Sequence, residues 1–376
     1  MQTKLLLIYL VISGLFISSC NHKKQTTSES AKEYVVILSL DGFRWDYPDS
    51  TATPNLDKIA RKGVKAEYLK PSFPTKTFPN HYSMATGLYP DHHGIVMNNF
   101  YDPTMDAYYS MGDSASRNNP AFYGGEPIWE TAEKQGKIAG TFFWVGSDVA
   151  GADNKATYWK PYQQSIPFSA RIDTVIQWLK KPADKRPDLV MWYYHEPDAI
   201  GHNAGPFAVE TDSVIKMLDS LVGVFMTKIE ALPYSDKINV LVTSDHGMNP
   251  ISRERVVDLS AVAPAHWFEE IQGSNPAFAF KVKKSYVDSA YRAFQNTAHV
   301  TVWKSENMPG SLHYGTNERT LDLTVVADSA WSIIYDRPMG YFGGAHGYDN
   351  RISDMFAIFY AYGPAFKENF PAPAFE

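Results

Sequence analysis

The chain has 376 residues, a formal net charge of −6 and a hydrophobic content of 44%. An aromatic content of 14% and a charged content of 20% exclude a disordered chain, because disordered chains lack the apolar groups that form a core. The acidic balance argues against polymeric nucleic acid as the main partner, since binding many phosphates requires a basic surface. The single cysteine, Cys20, excludes an internal disulfide.

The first 19 residues have the pattern of a secretory signal peptide. Lys4 precedes an apolar run over residues 5–17 that is too short for a membrane span, and small residues then lead to Cys20. This ending resembles the lipobox of bacterial lipoproteins, which implies that Cys20 is lipidated and that residues 20–33 form a polar tether. We therefore expect an exported protein, lipid-anchored in the bacterial cell envelope at the outer membrane or periplasm. An ordinary signal peptide with a chance cysteine is the alternative.

Apolar runs rich in β-branched residues alternate with amphipathic stretches after the tether. The apolar runs predict strands buried on both faces, at Tyr34–Leu40, 138–144, Leu189–Tyr194, Ile238–Thr243 and 355–360. The amphipathic stretches predict helices at 56–61, 170–180 and 209–229. This alternation predicts an α/β fold whose mostly parallel sheet has helices on both faces.

Residues 255–335 have a different pattern. They predict three strands, at 278–282, 300–303 and 321–326, around a helix at 286–295. We interpret this segment as a small α+β insertion. The main α/β core would then comprise residues 34–254 and 336–376.

Acidic and histidine side chains follow three of the predicted strands. They are Asp41 after the first strand, Asp198 and His202 after the strand ending at Tyr194, and Asp245 with His246 after the strand ending at Thr243. A further histidine, His346, lies in a glycine-rich loop before the last predicted strand. Ligands bind beyond the carboxyl ends of strands in open parallel sheets, so these side chains should converge. Carboxylates and imidazoles together bind zinc and similar ions, which predicts a hydrolytic metal site, although each residue alone is equally typical of a cap or loop.

A proline- and threonine-rich stretch carries the most specific motif. Residues 71–94, PSFPTKTFPNHYSMATGLYPDHHG, closely resemble the nucleotide pyrophosphatase/phosphodiesterase family of the alkaline phosphatase superfamily. Four further motifs occur in the family's order: Leu-Asp-Gly at 40–42, Glu-Pro-Asp-x-x-Gly-His at 196–202, Ser-Asp-His-Gly at 244–247 and Gly-Ala-His-Gly at 344–347. The resemblance extends over about residues 34–362 and implies an alkaline phosphatase-like fold.

The resemblance implies a role for each matching residue. Thr77 would be the nucleophile, would face a metal ion and would form a covalent intermediate, while Asn98 would donate to a phosphate oxygen. Two Zn²⁺ ions would be bound, one by Asp41, Asp245 and His246 and the other by Asp198, His202 and His346. A hydroxyl is a poor nucleophile unless a metal or base lowers its pKa, and two ions about 4 Å apart can stabilise both apical oxygens of a displacement at phosphorus.

Aromatic residues bear on what the phosphate is attached to. The resemblance implies an aromatic wall that stacks on a nucleobase, formed by Phe78 and Tyr162 and completed by Phe143 and Tyr193. Stacking of this kind accepts any base. The sequence departs from the usual family pattern at His195, where Glu is common, and at Val145, where Pro is common. These two departures bear on substrate preference rather than on the chemistry.

The expected reaction is hydrolysis of phosphodiester and pyrophosphate bonds in nucleotides and related diesters, with release of a nucleoside 5′-monophosphate. Two other activities are open: a threonine-nucleophile alkaline phosphomonoesterase, and a lysophospholipid or phosphocholine phosphodiesterase. Monoesterases of the superfamily carry a Lys-x-Arg pair, and residues 140–171 contain none. A non-catalytic surface protein is disfavoured because every ligand position and the nucleophile are chemically intact.

Overall fold

A computed structural model of the protein describes residues 32–149, 155–336 and 342–376. The predicted signal peptide and the predicted lipidation site Cys20 lie outside these residues. Within the described ranges, no helix combines the length and the apolarity that crossing a bilayer requires.

Strands and helices alternate along the described part of the chain. The strands are β1 (Tyr34–Leu40), β2 (Val64–Ala66), β3 (Asn99–Asp102), β4 (Ala107–Ser110), β5 (Ala139–Phe142), β6 (Tyr158–Lys160), β7 (Leu189–Tyr194), β8 (Ile238–Thr243), β9 (Asn249–Ile251), β10 (Val256–Asp258), β11 (Phe268–Ser274), β12 (Ala277–Val282), β13 (Val300–Lys304), β14 (Leu323–Ala327), β15 (Ser332–Ile334), β16 (Gly343–Ala345), β17 (Phe359–Tyr362) and β18 (Phe370–Ala372). The α-helices are α1 (Tyr47–Ser50), α2 (Pro54–Lys62), α3 (Thr77–Thr86), α4 (Pro90–His93), α5 (Ser114–Arg117), α6 (Ile128–Lys134), α7 (Phe168–Leu179), α8 (Asp198–Ala204), α9 (Val209–Glu230) and α10 (Val287–Gln295).

An eight-stranded sheet organises the main α/β core. Its strand order is β18-β2-β17-β8-β1-β7-β5-β6. Strand β1 pairs in parallel with β7 and β8, and β5 pairs in parallel with β7 and β6. Only β17 runs antiparallel to its neighbours, β8 and β2. The predicted α/β fold with a mostly parallel sheet is therefore confirmed.

Helices cover both faces of this sheet because its central strands carry apolar side chains on both faces. Val36 and Leu38 of β1 are fully buried in a core that also contains residues of α2, α7 and α9. Helix α7 contributes Ile172, Val175, Ile176 and Leu179, a spacing that places all four side chains on one helical face. Met191 of β7 belongs to a second core, on the side of α3 and α6.

A smaller antiparallel sheet is formed by residues 268–327. Its strand order is β11-β12-β14-β13, and α10 packs Ala290 and Phe294 into its core. Strand β11 was not expected from the sequence. It is an edge strand that pairs with β12 alone, and its residues Glu269 and Glu270 give it a polar sequence with no sustained apolar run.

The strand predicted at 355–360 is wrong in its position, because the structure begins β17 at Phe359. The apolar residues before it are buried, or half-buried in the case of Phe356, yet they hydrogen-bond with loops instead of a strand. The N–H of Ala357 donates to the Leu69 carbonyl (2.9 Å), and the N–H of Trp45 donates to the Phe356 carbonyl (3.1 Å). Apolar character alone therefore did not distinguish a sheet strand from a buried connection.

Candidate active site

The carboxyl ends of β1, β7 and β8 meet at one edge of the large sheet. Leu40, the last residue of β1, lies opposite Tyr194, and Ser39 lies opposite Thr243. The loops that follow are tied together, since the Asp198 N–H donates to the Asp41 carbonyl (2.9 Å). Three residue groups that are distant in sequence are thereby brought to one place.

Gly42 allows the loop after β1 to lie close to the loops after β7 and β8. Its N–H donates to Asp245 Oδ1 (3.1 Å), and its φ of +67° is unfavourable for residues with a Cβ. A Cβ at this position would lie 2.9 Å from the Cβ of Asp198. Glycine at position 42 is therefore required for Asp41, Asp198 and Asp245 to converge.

The first candidate metal group consists of Asp41, Asp245 and His246, all buried, with one ligand atom from each lying within 4.8 Å of the others. His246 Nε2 lies 3.4 Å from Asp41 Oδ1 and 3.0 Å from Asp245 Oδ2. Asp41 follows β1 directly, and Asp245 with His246 follows β8. The three residues therefore come together as the strand-end placement predicted.

The second candidate metal group consists of Asp198, His202 and His346. Asp198 and His202 lie one turn apart on α8, and His202 Nε2 is 3.4 Å from Asp198 Oδ1. His346 follows β16 and places its Nε2 3.5 Å from the same oxygen. The rings of His246 and His346 stack with centroids 3.6 Å apart, so the two groups adjoin.

The donor atoms of both groups fit metal ions. Asp41 Oδ1, Asp198 Oδ1 and Asp245 Oδ2 are buried and have no hydrogen-bond partner among the described residues. The Nδ1 atoms of the three histidines each donate to a backbone carbonyl: His202 to Gly344 (2.9 Å), His246 to Gly247 (2.8 Å) and His346 to Thr75 (2.8 Å). In the neutral ring this leaves a lone pair on each Nε2, which faces the carboxylates. Such a set of lone pairs is complementary to cations.

The charges in the site lead to the same conclusion. Burial, with the neighbouring carboxylates of Asp245 and Asp198, raises the pKa of Asp41 well above its usual range. Burial, with the nearby groups of His246, His202 and Lys76, lowers the pKa of His346 well below its usual range. Although burial lowers it, the pKa of His246 is raised overall by the neighbouring carboxylate of Asp245. One charged imidazole would compensate only part of the charge of three closely spaced carboxylates, which is costly to bury. Bound cations would supply the remaining counter-charge.

Thr77 begins helix α3 beside the first metal group. Its Oγ1 lies 3.3 Å from His246 Nε2. Asn98 adjoins it, since Asn98 Oδ1 accepts a hydrogen bond from the Phe78 N–H (2.9 Å). This contact fixes the orientation of the amide and leaves its Nδ2 without a partner among the described residues. The amide is therefore held with its donor available.

A cavity of about 330 Å³ opens directly above Thr77. Its lining brings together predicted ligands and predicted aromatic residues, namely Asp41, Thr77, Asp198, Phe78, Phe143, Tyr162 and Tyr193. The ring of Phe143 meets that of Tyr162 edge to face at 5.1 Å. Tyr162 is 38% exposed, so its ring is accessible to a ligand. Asn98 is not part of the lining. It contacts the lining residue Phe78, whose N–H donates to Asn98 Oδ1.

Tyr193 has a contact that its place in the predicted aromatic wall did not indicate. Its hydroxyl donates to Asp41 Oδ2 at 2.5 Å, and its ring packs against His81 at 5.1 Å. His81 lies one turn after Thr77 on α3, with Nδ1 3.2 Å from Asp245 Oδ2. Tyr193 thus supports the predicted ligand Asp41 through a hydrogen bond, and His81 packs beside the predicted ligand Asp245.

Several residues near the site were not identified from the sequence. Lys76 is buried, burial lowers its pKa to about 7, and its Nζ donates to the Asn275 carbonyl (2.8 Å). Arg117 and Asp148 line the cavity, and Asp148 Oδ2 accepts from the Tyr162 N–H (2.9 Å). From the sequence, only Asp148 could have been identified, because it follows the predicted wall residue Phe143 closely in the chain. Arg117 is distant in sequence from the other site residues, and only the fold brings it to the cavity.

The two departures from the family pattern, His195 and Val145, both lie in the cavity wall. The His195 ring packs 5.1 Å from Phe168, and burial with the nearby Arg171 lowers its pKa to about 4. An uncharged imidazole therefore stands where the resemblance implied a carboxylate. Val145 is buried to 9% exposure.

Comparison with known proteins identifies the family. The family model for type I phosphodiesterase/nucleotide pyrophosphatase matches residues 35–349. The chain belongs to this family. The prediction made from the motifs is thereby confirmed.

Members of the type I phosphodiesterase/nucleotide pyrophosphatase family resemble the chain over most of its length. Venom phosphodiesterase 2 of Crotalus adamanteus is 36% identical over 91% of the chain, but the match spans only 44% of the venom protein. Human ectonucleotide pyrophosphatase/phosphodiesterase family member 5 is 32% identical over the whole chain and 77% of its own length.

Solved structures of the same family confirm the alkaline phosphatase-like fold. Murine ectonucleotide pyrophosphatase/phosphodiesterase 5, as an inactive threonine-to-alanine variant in complex with AMP, superposes with a TM-score of 0.87 at 34% identity. The human protein superposes with a TM-score of 0.87 at 33% identity. Each comparison covers 91% of both chains.

Proposed function

We propose that the protein is a two-zinc hydrolase that cleaves phosphodiester and pyrophosphate bonds of nucleotides and releases a nucleoside 5′-monophosphate. One observation carries the proposal. A single cavity holds Thr77 and the carboxylates of Asp41 and Asp198 together with the rings of Phe143 and Tyr162. Its polar part suits a phosphodiester, and its aromatic part suits a base.

The residues that would hold the ions are the two groups described above. One ion would lie among Asp41, Asp245 and His246, and the other among Asp198, His202 and His346. Carboxylate oxygens and imidazole nitrogens in threes are typical of catalytic zinc. When bound, the ions would lower the pKa of the threonine hydroxyl and offset the charge on the phosphate.

The protein's own groups define the remaining steps. The Thr77 hydroxyl gives up its proton to solvent as Oγ1 attacks phosphorus; a Thr77 O–P bond forms, and the bond from phosphorus to the leaving oxygen breaks. Water then cleaves the Thr77 O–P bond, which releases the 5′-monophosphate and restores the hydroxyl. Thr77 is the first residue of the ten-residue helix α3, so the phosphate lies at the positive end of that helix. The free Nδ2 of Asn98 donates to a non-bridging oxygen.

The murine relative supports two parts of this proposal, namely the role of Thr77 as nucleophile and the release of a nucleoside 5′-monophosphate. That protein is inactive when a threonine is replaced by alanine, and its structure contains AMP. An essential threonine agrees with a nucleophilic role for Thr77. A bound nucleoside 5′-monophosphate agrees with the product expected here.

We also propose that the protein is exported and held in the bacterial cell envelope by a lipid on Cys20. The support is the sequence alone: an apolar run over residues 5–17 followed by small residues and the only cysteine. A small nucleotide or phosphodiester would then be taken from the envelope or its surroundings.

The substrate class is tested by comparing three substrates that share a p-nitrophenolate leaving group. They are p-nitrophenyl phosphate, thymidine 5′-monophosphate p-nitrophenyl ester and p-nitrophenylphosphorylcholine. The proposal predicts the highest kcat/KM for the nucleotide ester. A preference for the monoester would indicate a phosphomonoesterase, and a preference for the choline ester would indicate a phosphocholine diesterase.

A further inference from the structure

Arg171, on helix α7, places a buried cation behind the aromatic part of the cavity. Its side chain is fully buried and makes no ion pair with any carboxylate in the described ranges. Instead it donates to three backbone carbonyls: Nε to Ile166 (3.1 Å), Nη1 to Tyr193 (3.1 Å) and Nη2 to Gln164 (3.0 Å). Burying a charge in this way is costly, so a purely apolar packing role would favour an apolar side chain.

The three carbonyls belong to segments that carry the wall residues. Gln164 and Ile166 follow Tyr162 in the loop between β6 and α7. The third carbonyl is that of Tyr193 itself, near the end of β7. One planar guanidinium therefore bonds to the loop and the strand at once, which a lysine ammonium cannot do with the same geometry.

Arg171 also contacts a third wall residue, Phe143. Its guanidinium carbon lies 4.9 Å from the centroid of the Phe143 ring and 4.9 Å from that of Phe168. Phe143 has a φ of +69°, a left-handed conformation that is unfavourable for a bulky residue. Such a conformation persists only when surrounding contacts hold it, and the guanidinium supplies one of them.

We propose that Arg171 is a positioning residue that holds Phe143 and Tyr162 in place for stacking on the substrate base. This inference rests on the proposed nucleotide function. Arg171 does not touch the substrate, because its side chain is buried and absent from the cavity lining. Tyr193 is also held by the pairing of β7 with β1, so its contact with Asp41 does not depend on Arg171 alone. The effect of Arg171 is therefore exerted mainly through the two rings, and it falls on substrates that carry a base.

Arg186 is a matched control. It too bonds to backbone carbonyls, with Nε donating to the Leu179 carbonyl (2.8 Å), and it packs on aromatic rings, 3.4 Å from the centroid of Tyr234. It also donates to the Tyr34 hydroxyl (3.0 Å), at the start of β1, whereas the site lies at the end of that strand. Arg186→Lys should therefore disturb packing without disturbing the wall.

The experiment compares Arg171→Lys and Arg186→Lys on the thymidine ester and on methyl p-nitrophenyl phosphate, which has no base. Arg171→Lys should raise KM for the thymidine ester about tenfold, part of the 1–3 kcal/mol that stacking on a base contributes. Its kcat on that ester, and kcat/KM on the methyl ester, should stay within about twofold of wild type, because base binding is lost equally from ground and transition states. Arg186→Lys should leave the KM values of both substrates unchanged.

Coupling to Tyr162 separates positioning from general damage. In a Tyr162→Ala background, the effect of Arg171→Lys on the KM for the thymidine ester should shrink from about tenfold to about threefold, since one of the two rings through which it acts is gone. Melting temperature and methyl ester activity establish that each variant is folded. Should Arg171→Lys not fold, Arg171→Gln, which carries no buried charge, is taken through the same comparison.

Two results would overturn the inference. One is equal loss on both esters in Arg171→Lys, and the other is full additivity of Arg171→Lys and Tyr162→Ala. A wild-type enzyme that does not prefer the thymidine ester would instead refute the proposed function. The failures of the two proposals are thereby distinguishable.

Discussion

Removal of one hydroxyl, in Tyr193→Phe, tests how the first metal group is supported. The Tyr193 hydroxyl donates to Asp41 Oδ2 at 2.5 Å in a buried setting, while Asp41 Oδ1 is left for an ion. The substitution keeps the ring, so the edge contact with His81 and the cavity wall are retained. Only the orientation of the Asp41 carboxylate loses a constraint.

The expected magnitude follows from the strength of that bond. A hydrogen bond to a charged group contributes about 1.5–3 kcal/mol, and removing a group that orients a metal ligand typically weakens metal binding about 10- to 100-fold. The two figures agree, because 10- to 100-fold corresponds to roughly 1.4–2.7 kcal/mol. We therefore expect the dissociation constant of the zinc ion bound by Asp41, Asp245 and His246 to rise by about 10- to 100-fold in Tyr193→Phe.

The assay is competition for zinc with a chromogenic chelator, followed by activity at limiting and at excess zinc. Tyr194→Phe is the control, since that neighbouring hydroxyl donates to the Phe168 carbonyl (2.8 Å) and not to a ligand. Tyr193→Phe should lose activity at limiting zinc and regain most of it in excess, whereas Tyr194→Phe should match wild type in both. A zinc dissociation constant in Tyr193→Phe within twofold of wild type would show that the Tyr193 hydroxyl does not support Asp41 as a metal ligand.

Four further predictions concern the nucleophile, the wall, the ions and the anchor. Thr77→Ala should lower kcat by several orders of magnitude in steady-state assays, while Thr77→Ser, which keeps a hydroxyl, should retain substantial activity. Phe78→Ala or Tyr162→Ala should lower kcat/KM about 5- to 150-fold on the nucleotide ester only, and Asn98→Ala should slow both esters alike. Chelation should abolish activity and lower the melting temperature, zinc should restore both, and elemental analysis showing less than about one ion per active chain would contradict a two-metal site. Cys20→Ser should move the protein from the membrane fraction to the soluble fraction with unchanged turnover, and a wild-type protein that takes up no labelled fatty acid would contradict the anchor.

The central strands could be predicted from the sequence because their environment is uniform. β1, β7 and β8 begin and end where their apolar runs do, since strands buried on both faces consist mostly of apolar residues, with exceptions such as Ser39 and Asn239. The ligand groups could be predicted for a related reason. All of their residues except His346 lie in the segments that follow these strands, so the sheet brings them to one edge. His346 instead follows β16, which belongs to the separate β16-β9 pair.

The supporting contacts could not be predicted in the same way. Tyr193 and Asp41 are 152 positions apart, and Arg171 reaches a carbonyl 22 positions away. Neither pattern nor spacing identifies the partner of a hydroxyl or a guanidinium across such distances. Strand β11 was missed because its polar sequence did not indicate a strand. The connection before β17 was wrongly predicted as a strand because its residues are apolar.

The covalent role of Thr77 is tested most directly by the stereochemistry at phosphorus. A nucleoside 5′-phosphorothioate diester of one configuration is hydrolysed in ¹⁸O-labelled water, and the configuration of the nucleoside 5′-phosphorothioate is determined. Attack by Thr77 followed by attack of water comprises two in-line displacements, each of which inverts phosphorus. A covalent Thr77 intermediate therefore predicts net retention of configuration at phosphorus. Net inversion would show that water attacks phosphorus directly and that Thr77 forms no intermediate.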